Sequence, residues 1–105
     1  MKDNFEFSRV FDSECRQEIV YEFSTKHVVD RFLKGYNSAV IAYGQTSSGK
    51  TYTMGGPSFK DPNFEGMLPR AIRQIFKNIE YNKSDNLDIQ FVLSVYEIYS
   101  EKVID

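Results

Sequence analysis

The sequence has few residues that form cross-links or bind metals. Among 105 residues there is one cysteine, Cys15, and one histidine, His27. A lone cysteine excludes an internal disulfide and fits a reducing compartment. Within the predicted helix around His27, Asp30 is the only candidate second ligand, which is too few donors for a typical zinc site. The sequence therefore predicts neither a disulfide-bonded fold nor a histidine-based metal centre.

Long apolar runs and a strong excess of either charge are also lacking. No apolar run approaches the length of a membrane span or a signal-peptide core, so a cytosolic location is the default expectation. The net charge of −2 gives no polybasic surface, which argues against nucleic acid or a membrane as the partner. No repeat or low-complexity segment is present, and the length suits one small domain.

The most informative stretch is SAVIAYGQTSSGKT, at 38–51. Its apolar part, 39–43, suits a buried parallel strand, and GQTSSGKT matches the P-loop pattern G-x-x-x-x-G-K-[ST], whose glycines let backbone amides close around phosphate oxygens. Lys50 is expected to reach the β- and γ-phosphates of a nucleoside triphosphate, and the Thr51 hydroxyl to ligate Mg²⁺. The alternative is a glycine-rich turn with a solvated lysine. The predicted phosphate-binding residues are Gly44, Gln45, Thr46, Ser47, Ser48, Gly49, Lys50 and Thr51.

The rest of the chain predicts an α/β fold. The order strand, helix, strand, P-loop, helix, helix, strand is typical of a layered P-loop NTPase domain with a largely parallel central sheet and nucleotide at its carboxyl edge. Glu97, in the last strand, needs a partner if it is buried. The predicted elements are a strand at 5–11, one helix at about 16–34 ended by Gly35, a strand at 39–43, a short helix with Thr51 in its first turn that continues through 52–54, a loop at 55–66, a helix carrying Ile72, Ile75, Phe76 and Ile79 with Pro69 in its first turn, a polar break at 82–86, and a strand at 89–99.

Two surface features stay open between a functional and a structural interpretation. The loop at 55–66 is a candidate for regulation or ligand contact, or it is a tolerated surface insertion. Arg70, Arg73 and Lys77 share one helix face, which could contact an acidic partner, although a solvated face is the favoured interpretation.

Four stretches together resemble the motor domain of kinesins. They are FEFSRVF at 5–11, GYNSAVIAYGQTSSGKTYTM at 35–54, GMLPRAI at 66–72 and SVYEIYSEKVID at 94–105. The resemblance covers nearly the whole chain. It implies ATP and Mg²⁺ as ligands, microtubules as the partner, hydrolysis coupled to movement, and a cytoplasmic, microtubule-associated location. It also implies that Tyr52 packs on the adenine, whereas an ordinary exposed aromatic is the alternative, and that the loop at 55–66 is the family's variable insert.

Three family elements have no counterpart in these residues. They are an arginine-proline motif that contacts the base, a serine-rich switch that senses the γ-phosphate, and a D-x-x-G switch. Hydrolysis needs groups that position water and stabilise charge on the γ-phosphoryl. The expectation is therefore an incomplete kinesin motor domain, residues 1–105, with no catalytic residue of its own, no ATPase activity alone and doubtful independent stability. The alternatives are a degenerate motor that only binds nucleotide or tubulin, and a different P-loop enzyme.

Overall fold

The computed structural model describes residues 2–58, 60–83 and 88–104. Helices dominate this part of the chain. They pack as one group, in which α4 contacts α1, α2 and α3. The elements in chain order are α1 Gln17–Ser24, α2 Lys26–Leu33, α3 Lys50–Met54, a single 3₁₀ turn Pro62–Phe64, α4 Met67–Tyr81, β1 Glu97–Tyr99 and β2 Lys102–Ile104.

The single helix predicted at 16–34 is two helices, α1 and α2, separated at Thr25. The Ser24 hydroxyl donates back to the Val20 carbonyl, a contact that bends helices, and the Thr25 hydroxyl lies 3.1 Å from the Met67 sulfur of α4. Thr25 is only 3% exposed, so its side chain is held against α4 at the break. The prediction of one continuous helix was wrong, because a tertiary contact overrides the local period. Gly35, at φ 95°, follows the C-cap residue and ends α2 as predicted.

Helix α4 confirms its predicted period. Pro69 lies in the first turn, where its missing N–H costs no helical hydrogen bond. Ile72, Ile75 and Ile79 are half-buried. Phe76 packs its ring against Phe91, with centroids 5.2 Å apart. The polar break predicted at 82–86 lies partly outside the described residues, and Asn82 is the C-cap of α4.

The sheet differs from the prediction. The strands in the described ranges form one antiparallel hairpin, in which Glu97 pairs with Ile104 and Tyr99 with Lys102. Across the same ranges, the segments 5–11 and 39–43 have no backbone hydrogen bond to another segment, and the strand predicted at 89–99 begins only at Glu97. Strand propensity shows only that a segment would fit in a sheet. To form a sheet, the segment also needs a neighbouring strand with which to exchange backbone hydrogen bonds. The largely parallel sheet is therefore not confirmed.

The buried and exposed side chains reflect this arrangement. Tyr21 and Val29 are the buried apolar residues of the described chain, and they lie between the helices. The predicted strands are open to solvent, and Ile41 is 85% and Tyr43 98% exposed. Exposed apolar surface of this kind is typical of a face that packs against further protein. Glu97 and His27 are also exposed, so neither needs a buried partner.

Two classes of site find no support in the described part of the chain. None of its helices has both the length and the apolar character that a membrane crossing requires. Its histidine, cysteine and carboxylate side chains form no group of three that could hold a metal ion.

Candidate functional site

The P-loop lies between the segment 39–43 and helix α3. Gly49 is the N-cap of α3 and has φ 99°, a left-handed conformation that a side chain disfavours. Its carbonyl accepts the Thr53 amide at 2.9 Å, so the helix starts directly from the loop. The loop and the first helical residues enclose a cavity of about 470 Å³. This cavity is lined by Thr46, Ser47, Ser48, Gly49, Lys50 and Thr51.

Gly44 leaves room where the loop folds back closely on itself. A Cβ atom at this position would lie 2.6 Å from the Ser48 hydroxyl oxygen and 3.3 Å from the Ser48 Cβ. The Ser48 amide donates to the Gln45 carbonyl at 3.2 Å, which closes the turn. The close approach of Ser48 therefore explains why a glycine suits position 44 of the P-loop pattern in this structure.

Lys50 extends across the mouth of the loop. Its ammonium donates to the Gly44 carbonyl and, at 2.9 Å, to the Gln45 carbonyl. The side chain is half-buried, unlike the solvated lysine of the alternative interpretation. An ammonium has three donor hydrogens, so one remains for an anion in the loop after these two bonds. The site thus presents a fixed positive charge beside the cavity.

Thr51 and Tyr52 follow Lys50 in α3. Thr51 is exposed and lines the loop cavity, so its hydroxyl is accessible from that side. Tyr52 is 49% exposed. Tyr52 lines a second cavity of about 590 Å³, which is also lined by Ser48, Gly49 and Cys15. Seven of the nine predicted site residues, Thr46 to Tyr52, therefore line one or both of two adjoining cavities. The other two, Gly44 and Gln45, accept the hydrogen bonds of the Lys50 ammonium.

Gln17 is the residue of this site that the sequence reasoning missed. Its side-chain amide donates to the Tyr52 carbonyl at 2.6 Å and it lines the second cavity. The signal was present, because Gln17, Tyr21, Thr25 and Val29 recur every four residues and all are buried. Gln17 and Thr25 are polar residues, so a search for periodic apolar residues does not include them.

A second polar network joins the helices beside the site. The Tyr21 hydroxyl donates to Gln74 Oε1 of α4. Gln74 Nε2 in turn donates to Asp30 Oδ1 at 2.7 Å and to the Lys26 carbonyl at 3.3 Å. Burial, reinforced by the negative charge of Asp30, raises the pKa of Tyr21 to about 12. Tyr21 is therefore a neutral donor throughout the physiological range.

The basic face of α4 is largely engaged within the chain. Arg73 forms two hydrogen bonds with the Glu65 carboxylate, and they hold the pKa of Glu65 below its ordinary value. Arg70 donates to the Glu65 carbonyl at 3.0 Å and to the Pro62 carbonyl at 2.8 Å. The two arginines therefore fasten the end of the loop at 55–66 to α4. Neither interpretation of that face included this role, whereas the exposure of Arg73 and Lys77 agrees with the favoured one, a solvated surface.

Comparisons with known proteins agree on one family. The family model described as kinesin motor domain matches residues 1–105. The kinesin heavy chain of Neurospora crassa is 45% identical over 102 residues, which cover 97% of this chain and 11% of that protein. The solved structure of a fast kinesin is 50% identical with a TM-score of 0.72, over 74% of this chain and 22% of that chain.

The Drosophila kinesin family member NOD gives a further match. Its complex with divalent manganese and ADP is 34% identical with a TM-score of 0.81, over 96% of this chain and 36% of that chain. NOD has also been solved with AMPPNP, and docked with bovine tubulin into a map of its nucleotide-free complex with the microtubule. These likenesses confirm the predicted P-loop NTPase fold class, whereas the largely parallel sheet stays a prediction. The chain spans between 8% and 11% of the length of the first curated relatives that it matches.

Proposed function

Because the chain belongs to the kinesin motor-domain family, a family of microtubule motors, we propose that it binds ATP with Mg²⁺ as the phosphate-binding part of such a motor. In the complete gene product this site couples ATP hydrolysis to movement along microtubules in the cytoplasm. The observation that carries the proposal is the position of the Lys50 ammonium, which rests on the Gly44 and Gln45 carbonyls across the loop.

The loop residues divide the task of holding a triphosphate. Backbone amides between Gly44 and Gly49 donate to phosphate oxygens, because glycine at both ends leaves the chain free to curve around them. The remaining Lys50 hydrogen donates to the β- and γ-phosphates, where an ammonium acts as a point charge. The hydrogen bonds to the Gly44 and Gln45 carbonyls hold the Lys50 side chain over the loop and keep it from extending into solvent.

Thr51 suits an ion that takes most of its ligands from elsewhere. Mg²⁺ in nucleotide sites uses one or two protein oxygens and completes its shell with phosphates and water. The exposed Thr51 hydroxyl, on the cavity wall directly after Lys50, fits that requirement as a single ligand. When bound, the ion would neutralise charge on the phosphates.

Tyr52 is proposed to pack on the adenine. The residue is about half-exposed and lines the cavity that adjoins the phosphate loop. An aromatic face stacks on any nucleobase and gains roughly 1–3 kcal/mol. The base would thus be held on the outer side of the loop.

The polypeptide of 105 residues is proposed to hold nucleotide without cleaving it. The loop cavity is lined by hydroxyl, amide and ammonium groups, and among the described residues no carboxylate lines that cavity to orient a water molecule. Hydrolysis requires such positioning and added stabilisation of the γ-phosphoryl. Residues 1–105 are therefore assigned as one partial motor domain.

The test is phosphate release by the complete gene product with Mg·ATP, measured with and without polymerised microtubules. Lys50→Ala is expected to lower microtubule-stimulated release on the order of a hundredfold, because the fixed charge at the phosphates is lost. Lys60→Ala, at an exposed lysine of the loop at 55–66, serves as the matched control and is expected to retain it.

Three results would contradict the proposal. Stimulated release that survives Lys50→Ala would remove the role assigned to the P-loop. Nucleotide binding without turnover in the complete protein would identify a degenerate motor. Phosphoryl transfer to a small acceptor would identify a different P-loop enzyme.

A further inference from the structure

A buried glutamine begins helix α1. Gln17 is 5% exposed, although glutamine is mostly an exposed residue in proteins. Its Nε2 donates to the Tyr52 carbonyl at 2.6 Å, a bond between residues 35 positions apart. The contact joins α1 to the short helix that carries the predicted nucleotide ligands.

The Tyr52 carbonyl needs this donor because α3 ends abruptly. The last carbonyls of a helix have no helical amide to bind. The Gly55 and Gly56 amides both donate to the Thr51 carbonyl, at 2.9 and 3.2 Å, and Pro57 has no N–H at all. Within the described ranges the backbone therefore supplies no donor to Tyr52, and Gln17 caps its carbonyl from a distant helix.

The support for Gln17 is rigid. One turn further along α1, Tyr21 is also buried, and α1 packs against both α2 and α4, so helix packing holds the part of α1 that carries Gln17 in place. Helix α3 is thus held by a residue of α1, which lies outside the P-loop.

We infer that Gln17 is a positioning residue for the nucleotide site, an inference that rests on the proposed function. By capping the Tyr52 carbonyl, Gln17 fixes the turn that carries Lys50, Thr51 and the Tyr52 ring. Without the cap, the carbonyl turns toward another donor or toward water, and only a fraction of molecules keeps the binding geometry. The apparent affinity for nucleotide is then the full affinity multiplied by the fraction of molecules that keep this geometry.

The experiment measures binding of a fluorescent ATP analogue with Mg²⁺ to the complete gene product. Gln17→Met keeps the length of the side chain and removes the donor, and it is expected to weaken binding about tenfold, since a partly buried carbonyl without a donor is costly. Gln74→Met is the matched control, because Gln74 also joins two helices through its amide but does not line the nucleotide cavities. It is expected to lower the unfolding temperature while the affinity stays unchanged.

A conservative variant separates positioning from general damage. In Gln17→Glu, burial beside a carbonyl oxygen raises the pKa of the introduced carboxyl. The carboxylate therefore repels the Tyr52 carbonyl at pH 8, whereas the protonated acid donates an O–H to it as the pH falls. The affinity of Gln17→Glu, divided by that of the unsubstituted protein at each pH, is expected to rise as the pH falls from 8 to 6. The same ratio for Gln17→Met is expected to stay flat.

The outcomes distinguish the two proposals. Unaltered affinity in Gln17→Met would overturn the role of Gln17 alone, and so would an equal loss in Gln74→Met or a flat ratio for Gln17→Glu. If the unsubstituted protein and Lys50→Ala bind the analogue equally, the proposed function fails and the role of Gln17 fails with it.

Discussion

Glu65 and Arg73 face each other through two parallel hydrogen bonds, from Nη1 to Oε2 at 2.7 Å and from Nη2 to Oε1 at 2.8 Å. The carboxylate is buried, whereas the guanidinium is half-exposed. A bidentate pair of this geometry fixes both position and orientation. The end of the loop at 55–66 is therefore anchored to α4, independently of what the rest of that loop contacts.

The Glu65–Arg73 pair makes the free energy of unfolding depend on pH in the acidic range. Since the folded-state pKa of Glu65 is lowered, the unfolded chain binds its proton first as the pH falls. The contribution to stability is complete above the ordinary pKa of 4.5 and is lost as the pH falls through the lower folded value. Arg73→Met is expected to cost about 1–2 kcal/mol at neutral pH, less than a fully buried pair because Arg73 is partly solvated.

Unfolding temperatures of the complete protein between pH 7 and pH 3 test this prediction. The loss on acidification should shrink in Glu65→Gln and persist in Glu80→Gln, which changes an exposed glutamate of α4, the helix that carries Arg73. Identical acid profiles for the two variants would contradict it.

The Tyr21–Gln74 contact predicts an alkaline transition. The pKa of Tyr21 is raised to about 12, so the folded state keeps a proton that the unfolded chain releases near 10. Its contribution is complete below pH 10 and declines as the pH rises toward 12. Tyrosinate absorbance should therefore show one late-titrating tyrosine, which disappears in Tyr21→Phe. Loss of an early-titrating tyrosine instead would contradict the assignment.

The approach of Gly44 to Ser48 predicts a coupled pair of substitutions. Gly44→Ala brings a methyl group against the Ser48 hydroxyl, and such overpacking costs roughly 1–3 kcal/mol. Binding of the fluorescent ATP analogue should weaken on the order of tenfold. Adding Ser48→Ala removes the nearer atom and should restore part of the affinity, whereas purely additive losses would show that the two positions are uncoupled.

The hairpin turn is built from residues that strain it. Ser100 has φ 49° and Glu101 φ 61°, both in the left-handed region, which asparagine and glycine occupy more readily. The double substitution Ser100→Asn with Glu101→Gly should raise stability by about 1 kcal/mol. Ser100→Val should lower it, because a β-branched residue tolerates positive φ poorly. Unfolding midpoints measure both effects, and an unchanged midpoint in the valine variant would argue against strain at this turn.

Local patterns predicted the parts of the fold that depend on local forces. The period of α4 and the end of α2 at Gly35 follow from helical geometry and from the freedom of glycine. The loop at 44–49 and the helix after it also lie where the P-loop pattern put them, although that helix already begins at Lys50. Nucleotide binding by this loop stays a prediction.

Contacts between distant residues were not predictable in this way. The break at Thr25 depends on Met67, and the position of α3 depends on Gln17. The segments at 5–11 and 39–43 show the same limit. Their sequences favour strands, but a strand also needs a neighbouring strand with which to form backbone hydrogen bonds. A period computed over apolar residues also ignores buried polar groups, which here form the contacts between helices.

The bond between Gln17 and Tyr52 has a consequence for synthesis on the ribosome. Both partners lie within the first 52 residues, and no residue beyond Tyr52 takes part in the bond itself. The bond itself can therefore form as soon as α3 has been synthesised, whereas the packing of α1 and α3 against α4 has to wait until α4 is translated.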